Sequence, residues 1–272
     1  MPEKFSSGVK RKIRKEWLNM NSEAFSLAGK TAVITGANTG LGQGMCVALA
    51  QAGACIVGVG RSDMGQTAEK VAEVGGKFHP VHADLSTTDP IETILDACEK
   101  AFGGADILIN NAGIIRREDA EKYSMQDWDE VMSVNLRTLF FLSQAFAKRL
   151  IAAKKGGKII NIASMLSFQG GIRVPAYTAS KSAVMGVTRA LANEWAKYHI
   201  NVNAIAPGYM VTNNTEKLRQ DPVRYQEILG RIPAGRWGDP ADLAGAAVFL
   251  SAPASDYVHG VTLPVDGGWL AR

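Results

Sequence analysis

Cysteine and histidine are scarce in this chain, and neither forms a ligand pattern. The 272 residues include three cysteines, Cys46, Cys55 and Cys98, and four histidines. The cysteines form no C-x-x-C pair and the histidines no H-E-x-x-H motif, so the sequence indicates neither a disulfide framework nor a zinc site. We therefore predict no metal site. Free thiols are typical of a reducing compartment, so we expect a cytoplasmic protein.

Long apolar runs are also missing. No stretch of about 18 apolar residues occurs, so no membrane span or membrane partner is predicted. The net charge is only +4, and six basic and three acidic residues already precede Gly29. The remaining chain is close to neutral, which argues against a nucleic-acid partner. We expect residues 1–26 to form a basic extension, a packing or dispensable arm without the apolar centre of a signal peptide.

The rest of the chain alternates short apolar strands with helical patterns. The predicted strands are 30–35, 54–60, 78–83, 105–110, 157–164, 200–206 and 261–265. The predicted helices include 45–53, 91–102, 127–153 and 177–198. Apolar strands separated by helices indicate a parallel sheet buried on both faces, with right-handed crossovers. We therefore predict an α/β fold, a single doubly wound Rossmann-type domain over 27–272 with a seven-stranded parallel sheet.

A glycine-rich stretch, GANTGLGQG, separates the first strand from the first helix. With Thr35 it contains the pattern T-G-x-x-x-G-x-G, in which the glycines are Gly36, Gly40 and Gly42. Glycine permits a tight turn and a close approach of the backbone to a pyrophosphate, and the dipole of the following helix favours anions at its N-terminus. The position of this pattern, after a strand and before a helix, predicts a dinucleotide site.

The end of the second strand leaves the type of dinucleotide open. NAD is commonly held there by a carboxylate that accepts from the ribose 2′-OH. Here the strand ends at Gly60, and Arg61, Ser62 and Asp63 follow. Arg61 offers a cation for the 2′-phosphate of NADP, whereas Asp63 comes late for the hydroxyl of NAD. The residues are therefore compatible with both cofactors.

A second group of residues carries acid–base chemistry. Tyr177 and Lys181 are four positions apart in a predicted helix, so they share one face. Ser164 ends the fifth strand, and Asn135 lies in the preceding long helix. A phenol titrates near about 10 and is a poor base at neutral pH, but an adjacent ammonium favours the phenolate. With a serine hydroxyl to polarise a carbonyl, the set predicts proton transfer coupled to hydride transfer at a C–O centre.

These features together resemble the short-chain dehydrogenase/reductase family over about 27–272. The shared motifs are the glycine-rich turn, NNAG at 110–113, Asn135, Ser164, Tyr177-x-x-x-Lys181 and the Pro-Gly pair at 207–208. The resemblance implies that Tyr177 is the general acid/base, that Ser164 holds the substrate oxygen, and that Lys181 binds the nicotinamide ribose and lowers the pKa of Tyr177. It also implies that Asn135 anchors a proton-relaying water. A homotetramer built on the two long helices and the last strand is typical of the family.

The resemblance further implies a set of cofactor-binding residues. Besides Tyr177 and Lys181 these are Gly36, Asn38, Thr39, Gly40, Leu41, Gly42, Arg61, Asp84, Leu85, Asn111, Ala112, Gly113, Pro207, Gly208, Met210 and Thr212. Asp84 is expected to contact adenine, and Asn111 to support the cofactor and the central sheet.

Several stretches resemble one group within the family, which acts on six-carbon 2-keto-3-deoxy sugar acids in uronate and pectin breakdown. They are AGIIRREDA, NIASMLSFQGGIRVPAYTASKS, NVNAIAPGYM, RIPAGRWG and VDGGWLAR. That group is usually NAD-linked, so the resemblance implies NAD, with NADP as the alternative. A sugar acid needs a cation for its carboxylate and neutral polar groups for its hydroxyls. The predicted substrate residues are Arg116, Ser164, Gln169, Arg173, Tyr177, Tyr209 and Asn213.

Arg116 and Arg117 are adjacent, and adjacent side chains generally point apart. We predict that Arg116 binds the substrate carboxylate and that Arg117 has a structural role. Alternatives on the same fold are a gluconate 5-dehydrogenase, a 3-oxoacyl carrier-protein reductase and, more distantly, a non-catalytic dinucleotide sensor. A sensor would not need the complete set of catalytic residues that this chain retains.

Overall fold

A computed structural model describes residues 23–272, and it places the predicted strands in one parallel sheet. Residues 1–22, most of the predicted basic extension, lie outside the described residues. The strands are β1 (Thr31–Thr35), β2 (Cys55–Gly60), β3 (Lys77–His82), β4 (Ile107–Asn110), β5 (Gly157–Ile162), β6 (Ile200–Pro207) and β7 (Thr262–Val265). They lie in the order β3-β2-β1-β4-β5-β6-β7.

Helices cover both faces of the sheet. Within residues 23–272 they are α1 (Gly40–Gln51), α2 (Gly65–Glu73), α3 (Ile91–Phe102), α4 (Met125–Met132), α5 (Leu139–Ala152), α6 (Pro175–Trp195), α7 (Glu216–Gln220), α8 (Pro222–Leu229) and α9 (Ala244–Ser251). Among these residues, no helix is both long and apolar enough to cross a lipid bilayer.

The core divides into two layers because apolar side chains of the strands point alternately to opposite faces. On one face Ile34 of β1 packs in a cluster with Met45 and Leu49 of α1. On the other, Val33 of β1 belongs to a cluster with Phe146 of α5. All five residues of β1 and all eight of β6 are buried, as expected for strands covered on both sides.

The chain reverses its winding direction between β1 and β4, which are neighbours in the sheet. The connection from β1 leads outward to β2 and β3, and the connection from β4 leads outward to β5, β6 and β7. A crevice opens at such a switch point, outside the carboxyl ends of the strands. The loops that follow β1, β4, β5 and β6 therefore converge there.

Two of the predicted helices differ clearly from the prediction. α1 begins at Gly40 rather than at 45, so the glycine-rich turn itself supplies the first helical turn. The predicted helix 127–153 is interrupted by a π-helical turn, Ser133–Thr138, between α4 and α5. Such turns are frequent at functional sites. Here the wider turn carries Asn135, which is fully buried.

The domain begins a few residues before position 27. Ala24 accepts a backbone hydrogen bond from Ala254, and the ring of Phe25 lies 6.3 Å from that of Phe249. Residues 24–26 therefore pack on the domain, although the sequence placed them in the extension.

Candidate active site

The glycine-rich turn brings two stretches of backbone into direct contact. Gly36 has a φ of +68°, and a Cβ built on Gly42 would overlap the Gly36 carbonyl oxygen. A Cβ on Gly36 would lie 2.8 Å from the Nδ2 atom of Asn111. Only glycine fits at both positions, so the N-terminus of α1 stays open. The Thr39 side chain makes no cap hydrogen bond at that end of the helix.

Thr35 and Asn111 tie this turn to the end of β4. The Oγ1 atom of Thr35 accepts from the backbone N–H of Asn111 at 3.0 Å and of Ala112 at 2.9 Å. The Nδ2 atom of Asn111 donates back to the Thr35 carbonyl at 2.8 Å. These bonds join the glycine-rich turn to the end of β4 across the crevice.

The end of β2 forms a polar group beside a cavity of about 170 Å³. Asn38 donates to the Ser62 hydroxyl at 2.8 Å, and the Nη1 atom of Arg61 lies 4.0 Å from Asp84. The backbone N–H of Ser86 hydrogen-bonds to Asp84 and holds the pKa of that carboxyl below its usual value, with a smaller contribution from Arg61. Both side chains of the Arg61–Asp84 pair are largely exposed, so the contact is weak and the guanidinium stays accessible.

The predicted catalytic residues converge at the ends of β5 and α6. The Ser164 hydroxyl accepts from the Leu166 N–H at 3.1 Å, which fixes it on the turn after β5. Tyr177 lies in the first turn of α6, and Lys181 lies one turn later. The Nζ atom of Lys181 is 5.7 Å from the centre of the Tyr177 ring.

Lys181 is buried and is held by one backbone carbonyl. Its Nζ atom donates to the Ile162 carbonyl oxygen at 2.6 Å. Burial disfavours the charged ammonium and lowers the pKa of Lys181 to about 8. The sequence could not show this lowering of the Lys181 pKa, because the burial of the side chain depends on how β5 and α6 pack together.

Burial also controls Tyr177. It raises the pKa of the phenol above its usual value, and this effect exceeds the lowering by the Ser164 hydroxyl and by the positive charge of Arg117. The net shift is upward, and Arg117 is a cation that opposes it. The predicted lowering of this pKa by Lys181 stays a prediction.

Asn135 binds protein groups with its whole side-chain amide. Its Oδ1 atom accepts from the Ile114 N–H at 2.8 Å, and its Nδ2 atom donates to the Ile114 carbonyl at 3.0 Å and to Ser180 at 3.1 Å. The π-helical turn thus fixes the loop after β4 against α6. The role of water anchor predicted for Asn135 stays a prediction.

The two adjacent arginines differ in charge pairing: Arg116, predicted to bind the substrate carboxylate, is paired within the protein, whereas Arg117, predicted to be structural, is exposed. The Nη2 atom of Arg116 lies 2.9 Å from Glu130, and its Nε atom lies 3.5 Å from Asp127. Arg117 is exposed, and its Nη2 atom donates to the Asn214 carbonyl at 3.2 Å. Arg116 therefore anchors its loop to α4, whereas the guanidinium of Arg117 lies between the catalytic tyrosine and the loop after β6.

The other predicted substrate residues lie around the same mouth of the crevice, and they differ in burial and in charge pairing. Arg173 has its Nε atom 3.0 Å from Asp119, so its charge is already paired with the loop after β4. Tyr209 is half-buried, with its ring 5.4 Å from that of Trp237 and 4.8 Å from that of Trp269. Gln169 is half-buried and Asn213 is exposed.

The predicted cofactor residues after β6 differ in which part of each residue can face the crevice. A Cβ on Gly208 would lie 2.5 Å from the Cα of Asp266, so the backbone must pass closely there. Thr212 lies over the glycine-rich turn, with its Cγ2 atom 3.5 Å from the position of a Cβ on Gly40. The side chain of Met210, by contrast, is buried in the core against Gly238, so only its backbone can face the crevice.

A family model described as short chain dehydrogenase matches residues 30–223.

The chain belongs to the short-chain dehydrogenase family.

Three relatives illustrate its place in that family. A 2-dehydro-3-deoxy-D-gluconate 5-dehydrogenase of Escherichia coli (strain K12) is 64% identical over 249 residues, 92% of this chain and 98% of that protein. A crystal structure from Agrobacterium tumefaciens with bound NADP is 59% identical, with a TM-score of 0.87 over 92% of this chain and 99% of that one. A gluconate 5-dehydrogenase from Burkholderia cenocepacia J2315, in complex with NADP and tartrate, is 37% identical, with a TM-score of 0.88 over 93% of this chain and 99% of that one. The predicted family and the predicted doubly wound sheet are confirmed.

The crevice of this short-chain dehydrogenase fits a nicotinamide dinucleotide. The glycine contacts leave room for a diphosphate at the open N-terminus of α1. Arg61, Ser62 and Asn38 supply donors beside the cavity at the end of β2. Ser164 and Tyr177 lie at the other end, after β5. Residues 23–272 bring together no group of three metal-ligating side chains.

The sequence missed the partners that hold the site. Glu130 and Asp127 of α4 pair with Arg116, and hydrogen bonds from Gln126 and then from Arg116 hold the pKa of Glu130 below its usual value. The only available signal was the acidic sequence QDWDE after two arginines. It could not show which arginine is paired.

Burial of Lys181 makes the free energy of unfolding change with pH in the alkaline range. The folded state gives up the Lys181 proton near pH 8, whereas an unfolded lysine keeps it to about 10.4. The unfolded state therefore binds more protons between these values, and the free energy of unfolding rises with pH there. Across this window we expect the wild type to gain about 3 kcal/mol relative to Lys181→Met.

Urea unfolding of both proteins from pH 7 to pH 10.5 measures this difference. The matched control is Lys197→Met, which removes an exposed lysine and should leave the pH dependence of the wild type unchanged. A constant difference between wild type and Lys181→Met over the whole range would show that Lys181 titrates like an exposed lysine.

Proposed function

We propose that this short-chain dehydrogenase interconverts 2-dehydro-3-deoxy-D-gluconate and its 2,5-diketo form with NAD or NADP. The observation that carries the proposal is the convergence of Ser164, Tyr177 and Lys181 with the cation of Arg117 at one mouth of the crevice. The name of the Escherichia coli relative, 64% identical over 92% of this chain, supports the choice of substrate. A sugar acid carries both an alcohol to oxidise and a carboxylate to hold.

The catalytic residues divide the chemistry between them. In the oxidation direction the substrate C5 hydroxyl loses its proton to Tyr177 Oη, and the hydrogen on C5 departs as hydride, which leaves a C5 ketone. A bound nicotinamide would supply the acceptor for the hydride. Ser164 holds the reacting oxygen, because its hydroxyl is fixed beside Tyr177. In the reduction direction Tyr177 returns the proton to the C5 oxygen.

Lys181 and Asn135 support this transfer. Lys181 has a pKa of about 8. Near neutral pH it is therefore a cation beside the Tyr177 phenol, and this ammonium loses its proton readily. We place it at the nicotinamide ribose. Asn135 holds the Ile114 backbone and Ser180, and we place the relay water next to this amide.

The cofactor site follows the crevice from β1 to β6. We place the diphosphate on the glycine-rich turn, adenine near Asp84, and the nicotinamide near Pro207 and Gly208. The full set proposed is Gly36, Asn38, Thr39, Gly40, Leu41, Gly42, Arg61, Asp84, Leu85, Asn111, Ala112, Gly113, Tyr177, Lys181, Pro207, Gly208, Met210 and Thr212. Leu85 is buried in the core and contributes mainly backbone, as does Met210.

Arg117 is the cation that we assign to the substrate carboxylate, in place of Arg116. Its only side-chain hydrogen bond within residues 23–272 goes to a backbone carbonyl, so its charge is not neutralised. Arg116 is paired with two carboxylates and Arg173 with Asp119. Tyr209, Gln169 and Asn213 surround the same space and are proposed to meet the hydroxyls.

A gluconate 5-dehydrogenase activity is the second candidate. The Burkholderia cenocepacia enzyme of that name is 37% identical and superposes over nearly the whole domain. Gluconate differs from the proposed substrate at C2 and C3, far from the reacting C5. The catalytic residues are therefore expected to be the same, and only relative rates on the two acids separate the candidates.

The assembly and location proposed are a cytoplasmic homotetramer that acts in uronate and pectin breakdown. A groove between α5 and α6, lined by Phe140, Ile151, Val187 and Trp195, supports a subunit contact on the long helices. β7 lies at the edge of the sheet and supports a second contact. We also propose that residues 1–26 are a basic extension whose last residues, 24–26, pack against the rest of the domain.

Tyr177→Phe tests the chemistry. Loss of the phenolic proton should reduce turnover by at least ~100-fold while cofactor affinity stays within twofold, because the ring remains in place. Initial rates should be measured with 2-dehydro-3-deoxy-D-gluconate, gluconate and 2-deoxygluconate, each with NAD and NADP. Tyr257→Phe, at a fully exposed position, is the control. Near-normal turnover of Tyr177→Phe would overturn the assignment of the acid/base, and preference for gluconate would favour the second candidate.

Arg117→Ala tests the carboxylate assignment. We expect KM for the sugar acid to rise by about tenfold or more, as for loss of a charge-assisted contact of about 1.5–3 kcal/mol. The rise of kcat/KM for oxidation with pH, which follows deprotonation of Tyr177, should also move to higher pH, because burial raises the pKa of Tyr177 and the Arg117 cation that offsets this effect is gone. Arg116→Ala is the matched control, with KM changed less than twofold. The reverse pattern would restore the division predicted from the sequence.

Arg61→Ala tests the choice between the two dinucleotides. If Arg61 and Ser62 bind a 2′-phosphate, the ratio of kcat/KM for NADP to that for NAD should fall about tenfold or more, because only NADP carries the phosphate. Arg224→Ala, an exposed arginine of α8, should leave the ratio unchanged. An equal loss with both cofactors would assign Arg61 to the adenosine that they share.

A further inference from the structure

The last seven residues pack beneath the substrate side of the crevice. This C-terminal segment, residues 266–272, follows β7 and includes a short 3-10 turn, Trp269–Ala271. The carboxylate of Asp266 accepts from the N–H groups of Gly268 and Leu270, both at 2.9 Å. These bonds shape the turn locally and present the Trp269 ring to the domain.

Trp269 contacts elements from three separate parts of the chain. It is 5% exposed and belongs to a cluster with Met165, which follows Ser164, and with Ile228 of α8. Its ring lies 4.8 Å from that of Tyr209, which follows β6. The guanidinium carbon of Arg231 lies 4.1 Å from the centre of the Trp269 ring. One side chain thus links the turn of Ser164, the proposed substrate tyrosine and the helix beyond it.

Two hydrogen bonds fix the same segment to residues 230–234. Ala234 donates its N–H to the Gly267 carbonyl at 2.9 Å, and the Nη2 atom of Arg272 donates to the Gly230 carbonyl at 3.1 Å. A Cβ on Gly268 would lie 3.1 Å from the Pro233 ring. The segment and the 230–234 stretch are therefore in direct contact.

The packing of Trp269 relies on its ring and not on its polar atom. Its Nε1 atom is buried without a hydrogen-bond partner among the described residues. An indole N–H without a partner contributes no polar contact, so an aromatic ring of similar shape should serve the same purpose.

We propose that the C-terminal segment is a positioning element for the sugar acid, with Trp269 as its principal side chain. Trp269 holds Tyr209 and the 222–232 stretch in the arrangement that receives the substrate, and does not touch the reacting atoms. The inference rests on the proposed function for the identity of the substrate. The mechanical link between residues 266–272 and 209–232 is independent of it.

Hydrogen exchange tests the mechanical link without any substrate. In Trp269→Ala, amides of 222–232 should exchange at least tenfold faster than in the wild type, while those of α1 stay unchanged. Trp269→Phe should restore wild-type exchange. Phe25→Ala, which removes a half-exposed ring at the start of the domain, is the control and should leave 222–232 unaffected. Unchanged exchange of 222–232 in Trp269→Ala overturns the link, whatever the substrate.

Steady-state kinetics test the link to substrate. Trp269→Ala should raise KM for 2-dehydro-3-deoxy-D-gluconate by tenfold or more, with KM for the cofactor within twofold and Trp269→Phe near the wild type. Trp269→Leu and Arg272→Ala, milder changes to the same contacts, should give intermediate KM values and keep the experiment decisive if Trp269→Ala does not fold. Faster exchange with unchanged KM overturns the positioning role. A wild-type enzyme inactive on sugar acids overturns the proposed function, while the exchange data still decide the mechanical link.

Discussion

The crevice depends on a backbone contact that tolerates no side chain. The Gly36 carbonyl occupies the place where a Cβ of residue 42 would lie, and the amide of Asn111 fills the space where a Cβ of residue 36 would lie. This contact closes β1 onto the end of β4 at the point where the winding direction of the sheet reverses. It brings α1 to the carboxyl edge with an open N-terminus, and it sets the distance between the dinucleotide turn and the loop that carries the arginines. The other parts of the site lie on strands whose positions follow from that junction.

Burial disfavours the charged forms of the ionisable residues in the site. Lys181 and Tyr177 are both disfavoured in their charged forms, because each is taken out of water by the packing of α6 on β5. Arg117, a cation that opposes this effect at Tyr177, comes from the loop after β4. The proposed acid/base group is therefore coupled to the residue that we assign to the substrate carboxylate, so a carboxylate bound near Arg117 would act on the phenol as well as on affinity.

The proposed chemistry and the proposed substrate recognition use different parts of the structure. The proposed proton-transfer groups lie at the end of β5 and on α6. The proposed recognition surface consists of the loop after β4, the 209–232 stretch and the C-terminal segment, joined by contacts such as Arg117 to Asn214 and Trp269 to Tyr209. A family that keeps one catalytic centre can vary such a surface without disturbing the reaction.

The sequence by itself determined the doubly wound sheet, the dinucleotide turn and the candidates for the catalytic residues. These depend on local periodicity, on glycines required by the turn itself and on short spacings such as Tyr177 to Lys181, all of which are written within one or two elements. Only the tertiary structure decided which of Arg116 and Arg117 is neutralised, how far burial shifts Tyr177 and Lys181, and that Trp269 packs beneath Tyr209. The reason is physical: charge pairing and desolvation depend on neighbours that arrive from distant parts of the chain, and no local pattern records their arrival.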